Sequence, residues 1–217
     1  MTSYLLLKKT PHLSGTTNKL ASSKSISNRA LILKALSGNQ STVSNLSDAR
    51  DTVLMTNLVG SLDKIIDVMD AGTTMRFLTA YFTLTNKNKI LTGTARMKER
   101  PIGILVDALR TLGAQIDYLE KEGFPPIETK GFAQQKTATL TIPGNISSQY
   151  ISALMMVAPT LPQGLTLSLT GKIGSVPYIE MTAALMEQFG VKPETNFAAQ
   201  TIRIAPTPTN ISTKSEP

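Results

Sequence analysis

Three stretches of this chain follow one plan, and that internal repetition restricts the fold more than any other feature. Each opens on a turn of small polar residues, runs into an apolar helical pattern, continues through a strand-like segment, and closes on a Thr-Gly or similar turn. The openings are Ser25-Ile26-Ser27-Asn28-Arg29, Ala71-Gly72-Thr73-Thr74-Met75-Arg76 and Asn145-Ile146-Ser147-Ser148-Gln149. After the second and third, Arg100-Pro101 and Val176-Pro177 begin another helical pattern, with Pro at a first helical position and Gly113 or Gly190 just past the end. Within the first of these, Ile102, Leu105, Val106, Leu109 and Leu112 recur on one face. Ile179, Ala183, Met186 and Phe189 do so in the other.

Strands are expected at Ser41 to Leu46, Lys89 to Thr92, Gln115 to Leu119, Thr137 to Ile142, Leu165 to Thr170 and Thr201 to Ile204. The alternation predicts an α/β (α+β) domain of three βαβαββ-like units over residues 15–205. The first unit is shortened between Asp51 and Asp70, with a helix expected around Thr52 to Leu58. Residues 206–217 are rich in Pro, Thr and Ser without periodicity and are expected to be a disordered tail. Residues 1–14 could form a strand, but nothing nearby completes a sheet for it.

With 41% hydrophobic residues in 217, the chain can bury a sizeable core. Aromatics are 5% and Trp is absent, so an aliphatic core is expected, with the nine Met filling gaps. The lack of Cys excludes disulfides, thiol nucleophiles and cysteine-zinc clusters, and a reducing, cytoplasmic location is the simplest expectation. The start MTSYLLLKKT lacks the parts of a signal peptide, and the apolar run Ile151 to Pro159 is too short to span a bilayer. A net charge of +7 admits several acidic partners. Because Lys and Arg are scattered and not gathered into a stripe with aromatics, small anions are favoured over nucleic acid or membrane.

Five clusters could carry chemistry. In Ser22 to Arg29, hydroxyls accompany Lys24 and Arg29 at a helix start, where unpaired N–H groups and the dipole attract anions. Capping by Ser25 or Ser27 would explain the serines equally well. It does not explain cations placed against the dipole. Asp70 to Arg76 repeats the logic with Gly72, which permits close backbone approach. Ser147-Ser148-Gln149 is a third such start, and Ser175 with Tyr178 a fourth. The fifth, Arg96 to Pro101, holds Arg96, Lys98 and Arg100. It reads as a solvated loop or as a guanidinium site for carboxylate or phosphate.

These clusters, in this order, resemble the enolpyruvyl transferase family and its shikimate-pathway branch, the 5-enolpyruvylshikimate-3-phosphate synthases. The motifs carrying the resemblance are Ser-Lys-Ser-x-Ser-Asn-Arg, (Asn/Asp)-Ala-Gly-Thr-x-x-Arg, Arg-Met-x-x-Arg-Pro-Ile and Ser-Ser-Gln-(Phe/Tyr), spread from Lys24 to about Ile204. The resemblance implies the N-terminal half of such an enzyme, with three units, helices inside and sheets outside. It implies that Lys24, Ser25, Arg29, Ser147, Ser148, Gln149 and Ser175 hold shikimate 3-phosphate. Lys24, Gly72, Arg100 and Gln149 would contact phosphoenolpyruvate, with Lys24, Arg100 and Gln149 as the catalytic group. Asp51, Asp70, Arg76, Arg96 and Tyr178 would stand behind them. No metal or cofactor is implied, no nucleic acid or membrane partner, and a monomer is usual. Residues 1–14 would belong with a C-terminal domain that the chain lacks and that supplies the acid/base carboxylate, so the isolated chain is expected to be inactive.

Some positions depart from the pattern. Ala21-Ser22 replaces Pro-Gly, Phe77 stands for Pro, and Asp70 stands for Asn. An inward Asp70 would repel an anion, so it is expected to cap or to bind Arg. The alternatives are a catalytically inert anion- or RNA-binding α/β module, a ligand-free remnant, or the sister enzyme acting on a UDP-sugar. That sister commonly uses a Cys, which is absent here.

Overall fold

The computed structural model describes residues 6, 8–9, 12, 14–16, 20–38 and 42–207. The element order is α1 (Lys24–Leu36), α2 (Arg50–Val59), β1 (Ile65–Asp67), α3 (Gly72–Leu84), β2 (Lys89–Thr92), α4 (Ala95–Lys98), α5 (Gly103–Leu112), β3 (Ala114–Tyr118), β4 (Ile127–Phe132), β5 (Thr139–Pro143), α6 (Ser148–Val157), β6 (Leu165–Thr170), α7 (Val176–Gln188), β7 (Glu194–Asn196) and β8 (Thr201–Ile204).

The strands form two four-stranded sheets of identical plan. One runs β1-β2-β4-β3, the other β5-β6-β8-β7. In each, the first pair is parallel and the other two are antiparallel. A helix, α3 in one sheet and α6 in the other, crosses between the parallel strands, as such a pairing requires. Strands such as β5, Thr139–Pro143, alternate exposed and buried residues, so each sheet has one wet face and one face on the core.

α3 and α6 are buried nearly all round, which suits their almost uncharged sequences. They pack on each other, α1 packs on both, and α7 packs on α1 and α6. Helices thus lie inside and sheets outside. Phe77 and Phe82 are among the largest fully buried side chains, joined by Met55, Met75, Met97, Met155, Met156 and Met186. All five apolar residues expected on the α5 face are fully buried. Gly113 caps α5 with φ 117°, and a Cβ there would lie 2.1 Å from the Gln134 carbonyl oxygen, so no other residue fits.

The first unit differs from expectation. Residues 42–46 form no strand, because Asn45 adopts φ 52°, which breaks an extended run; Ser41 lies outside the described residues. The segment is fixed instead by Ser47 N–H donating to the Ser27 hydroxyl at 3.0 Å. The helix expected around Thr52 to Leu58 is α2. Pro101 is not a first helical residue, since α5 starts at Gly103. Its carbonyl accepts from Arg76 Nη2 at 2.9 Å and from the Tyr150 hydroxyl at 2.7 Å. Pro177 does sit in the first turn of α7. The strand expected over residues 1–14 and the tail expected over 206–217 lie for the most part outside the described residues. Thr207 N–H still donates to the Pro159 carbonyl at 3.0 Å.

Candidate anion-binding cleft

The amino ends of α1, α3, α6 and α7 meet around one cleft of about 370 Å³, open to solvent. α1 supplies Lys24, Ser25 and Arg29, α3 supplies Thr73, and α6 with its cap supplies Ser147, Ser148 and Gln149. Ser175 and Tyr178 complete the wall from α7. None of these four helices carries an acidic residue in its first turn. Helix starts ordinarily favour Asp and Glu there, so these four positive dipole ends have no carboxylate of their own.

Capping explains part of the serine usage. Ser23, rather than Ser25 or Ser27, caps α1 by accepting from Ile26 N–H at 3.4 Å, and this leaves Ser25 facing the cleft. Ser147 caps α6. Ser175 sits at the start of α7 with φ 53° and makes no cap hydrogen bond. A left-handed serine costs about 1 kcal/mol, and strain of this kind gathers where geometry serves a ligand.

Arg29 forms the floor. It is only 2% exposed and has no carboxylate partner among the described residues. Its guanidinium lies 5.3 Å from the Phe77 ring centroid and 5.8 Å from that of Tyr178, within range of cation–π attraction. Burial pushes its pKa down from the ordinary guanidinium value to about 10, with the Tyr178 phenol acting the other way. Keeping this charge inside costs the fold on the order of 3 kcal/mol. The penalty is fully present below pH 10 and is relieved as pH rises from there towards the ordinary guanidinium value.

Lys24 is 48% exposed and its Nζ donates to Asp51 Oδ2 at 3.0 Å. Gln149 Nε2 donates to Thr73 Oγ1 at 3.1 Å, tying the starts of α3 and α6 together. Beside Thr73, the Arg100 guanidinium lies flat on Gly72. A Cβ there would fall 2.4 Å from Arg100 Nη2, so glycine is obligatory for this contact. Arg100 Nη1 donates to the Asp70 carbonyl at 3.3 Å. Arg100 is held below its ordinary value first by burial, then by repulsion from Arg76 and Arg96. Three crowded guanidiniums would be relieved by an anion among them. Arg76 is a strut, donating to the Gly72 and Pro101 carbonyls, while Arg96 is exposed. Lys98 turns away to Glu120. Asp70 points to Arg50 at 3.8 Å, which matches the expectation that it would bind an Arg.

Seven of the nine expected substrate residues therefore line the cleft with Tyr178, and Gly72 and Arg100 adjoin it through Thr73. Asp51 stands behind Lys24. Sequence reading missed Thr73, although it neighbours Gly72 in the same first turn, and it missed the buried hydroxyls of Ser152 and Thr182 under Arg29. Among the described residues, no group of three or more His, Asp or Glu could hold a metal, and no helix is long and apolar enough to cross a membrane.

The α/β domain thus turns four acid-free helix starts and two cations onto one cleft, an arrangement whose dipoles and charges favour anions. The profile of EPSP synthase (3-phosphoshikimate 1-carboxyvinyltransferase) matches residues 7–70 and 63–216, and the chain belongs to that family. The 3-phosphoshikimate 1-carboxyvinyltransferase of Bacteroides fragilis (strain YCH46) is 50% identical over 192 residues, 88% of this chain and 46% of its own length. The one from Vibrio cholerae serotype O1 (strain M66-2) is 42% identical over 206 residues, covering 83% and 48%. A solved EPSP synthase from Acinetobacter baumannii superposes with a TM-score of 0.72 at 18% identity, over 86% of this chain and 46% of that one. The chain spans about half the length of the curated relatives it matches.

Proposed function

We propose that this chain, over residues 15–205, is the substrate-binding half of an enzyme that transfers the enolpyruvyl group of phosphoenolpyruvate to the 5-hydroxyl of shikimate 3-phosphate. The reading is carried by one observation, the convergence of four acid-free helix starts on Lys24 and Arg29. In the reaction the hydroxyl adds to phosphoenolpyruvate, and the tetrahedral intermediate then loses inorganic phosphate. Two polyanions must meet, so fixed cations and N–H dipoles offset their repulsion and orient them before reaction.

In this reading Lys24, Ser25, Arg29, Ser147, Ser148, Gln149 and Ser175 hold shikimate 3-phosphate, with Thr73 added to the set. Lys24, Gly72, Arg100 and Gln149 receive phosphoenolpyruvate. None of the nine residues lining the cleft is a carboxylate. The acid/base group is therefore assigned to the half of the relatives that this chain does not span. The chemistry as proposed needs no metal or cofactor, and the setting is cytoplasmic.

Titration calorimetry of this chain with shikimate 3-phosphate tests the reading. Weak, saturable binding is expected, with no phosphate released when both substrates are supplied. Substantial turnover would overturn the two-half requirement. Absence of binding, together with salt-steep binding to RNA that shikimate 3-phosphate does not compete, would replace the reading with a nucleic-acid module.

A further inference from the structure

Arg29 is held in place by neutral groups. Its Nε donates to Thr182 Oγ1 at 2.7 Å, Nη2 to Ser152 Oγ at 2.9 Å, and Nη1 to the Ser25 carbonyl at 3.0 Å. Ser152 lies in the interior of α6 and Thr182 in that of α7. Both are fully buried, and their oxygens are 2.9 Å apart.

The proton positions follow from counting. A hydroxyl has one proton and two lone pairs. Thr182 donates its proton to the Tyr178 carbonyl at 2.7 Å, so towards Arg29 and Ser152 it can only accept. Ser152 must then be the donor to Thr182, and its own lone pair takes the Arg29 Nη2 proton. Every hydrogen in the pair is assigned, and both oxygens present lone pairs to the guanidinium.

A carboxylate in this place would hold Arg29 as firmly, but it would cancel the charge that the cleft can use. Two hydroxyls fix the geometry and leave the charge in force. Five N–H donors belong to a guanidinium, and three have protein acceptors among the described residues. A back-bond from Thr182 to the residue four before it is common in helices. Two fully buried hydroxyls from different helices aimed at one guanidinium are not explained by that habit.

We propose that Ser152 and Thr182 are positioning residues, a neutral clamp that fixes Arg29 beneath the cleft so that its charge and remaining donors serve the bound anion. The inference rests on the reading of the cleft as a shikimate 3-phosphate site.

The test is calorimetric titration of shikimate 3-phosphate into this chain and its variants, with thermal melts alongside. Thr182→Val keeps the shape and removes the hydroxyl, and it should weaken binding roughly tenfold. Thr182→Ser restores the oxygen and should bring affinity back to within about twofold. In an Arg29→Lys background, Thr182→Val should have no further effect, because the clamp acts only through Arg29. Should Thr182→Val fail to fold, Ser152→Ala carries the same comparison, with Ser152→Thr as its rescue.

Equal affinity of wild type, Thr182→Val and Ser152→Ala would overturn the clamp while leaving the site intact. The same would follow if the loss persisted undiminished in the Arg29→Lys background. A wild-type chain that does not bind at all overturns the site itself, and the clamp with it.

Discussion

The two ends of the same inner helices are built on opposite rules. At their amino ends, α1, α6 and α7 line the cleft with Lys24, Ser25, Ser148, Gln149, Ser175 and Tyr178. At their carboxyl ends they close on Leu33, Leu36, Met156, Pro159, Phe189 and Val191, an apolar lining with almost no polar surface. The far end is finished as packing. The near end keeps a buried guanidinium, a left-handed serine and helix starts without an acidic first turn, none of which favours the fold. Under the proposed function, a bound polyanion offsets what these features cost the fold.

That contrast can be broken most sharply from the packed end. Leu33→Ala, at a position 4% exposed, should destabilise the chain by about 3 kcal/mol through a cavity. Shikimate 3-phosphate affinity in the folded protein should stay within about twofold; a denaturant melt and a titration read the two effects separately. Lys24→Met at the open end should do the reverse, weakening the same ligand by about 2 kcal/mol with little change in melting temperature, since its ion pair with Asp51 is partly solvated. The smallest effect belongs to Ser175→Gly. Relief of the left-handed backbone should raise stability by about 0.5 kcal/mol, while calorimetry records weaker binding from the lost hydroxyl. A Ser175→Gly chain that is both less stable and equally able to bind would erase the distinction at that helix.

Much of the architecture was legible in the sequence because punctuation and alternation agreed. β6 and β8 match expectation residue for residue, since β-branched and Leu alternation there is bounded by turn residues. β4 was missed: Glu128, Lys130 and Gly131 depress its strand propensity, and its alternation is read only once β2 and β3 flank it. β1 and β7 were missed for their three-residue length, and β7 is wholly exposed. In the cleft, polar residues at helix starts were visible because they contradict helix economy. Ser152 and Thr182 were not, because a hydroxyl in a helix interior is unremarkable. Only the packing of α1 against α6 and α7 brings them to an arginine more than a hundred positions earlier.

The matching order of the two sheets has a consequence for how such a cleft arises. Two β-helix-β units of the same strand order, packed on each other through their buried helices α3 and α6, bring both helix starts to one rim. The backbone dipoles of α3 and α6 thus add to the same rim whatever side chains their first turns carry. Under the proposed function, Lys24, Thr73 and Gln149 then need only add specificity to a rim whose backbone dipoles already favour an anion.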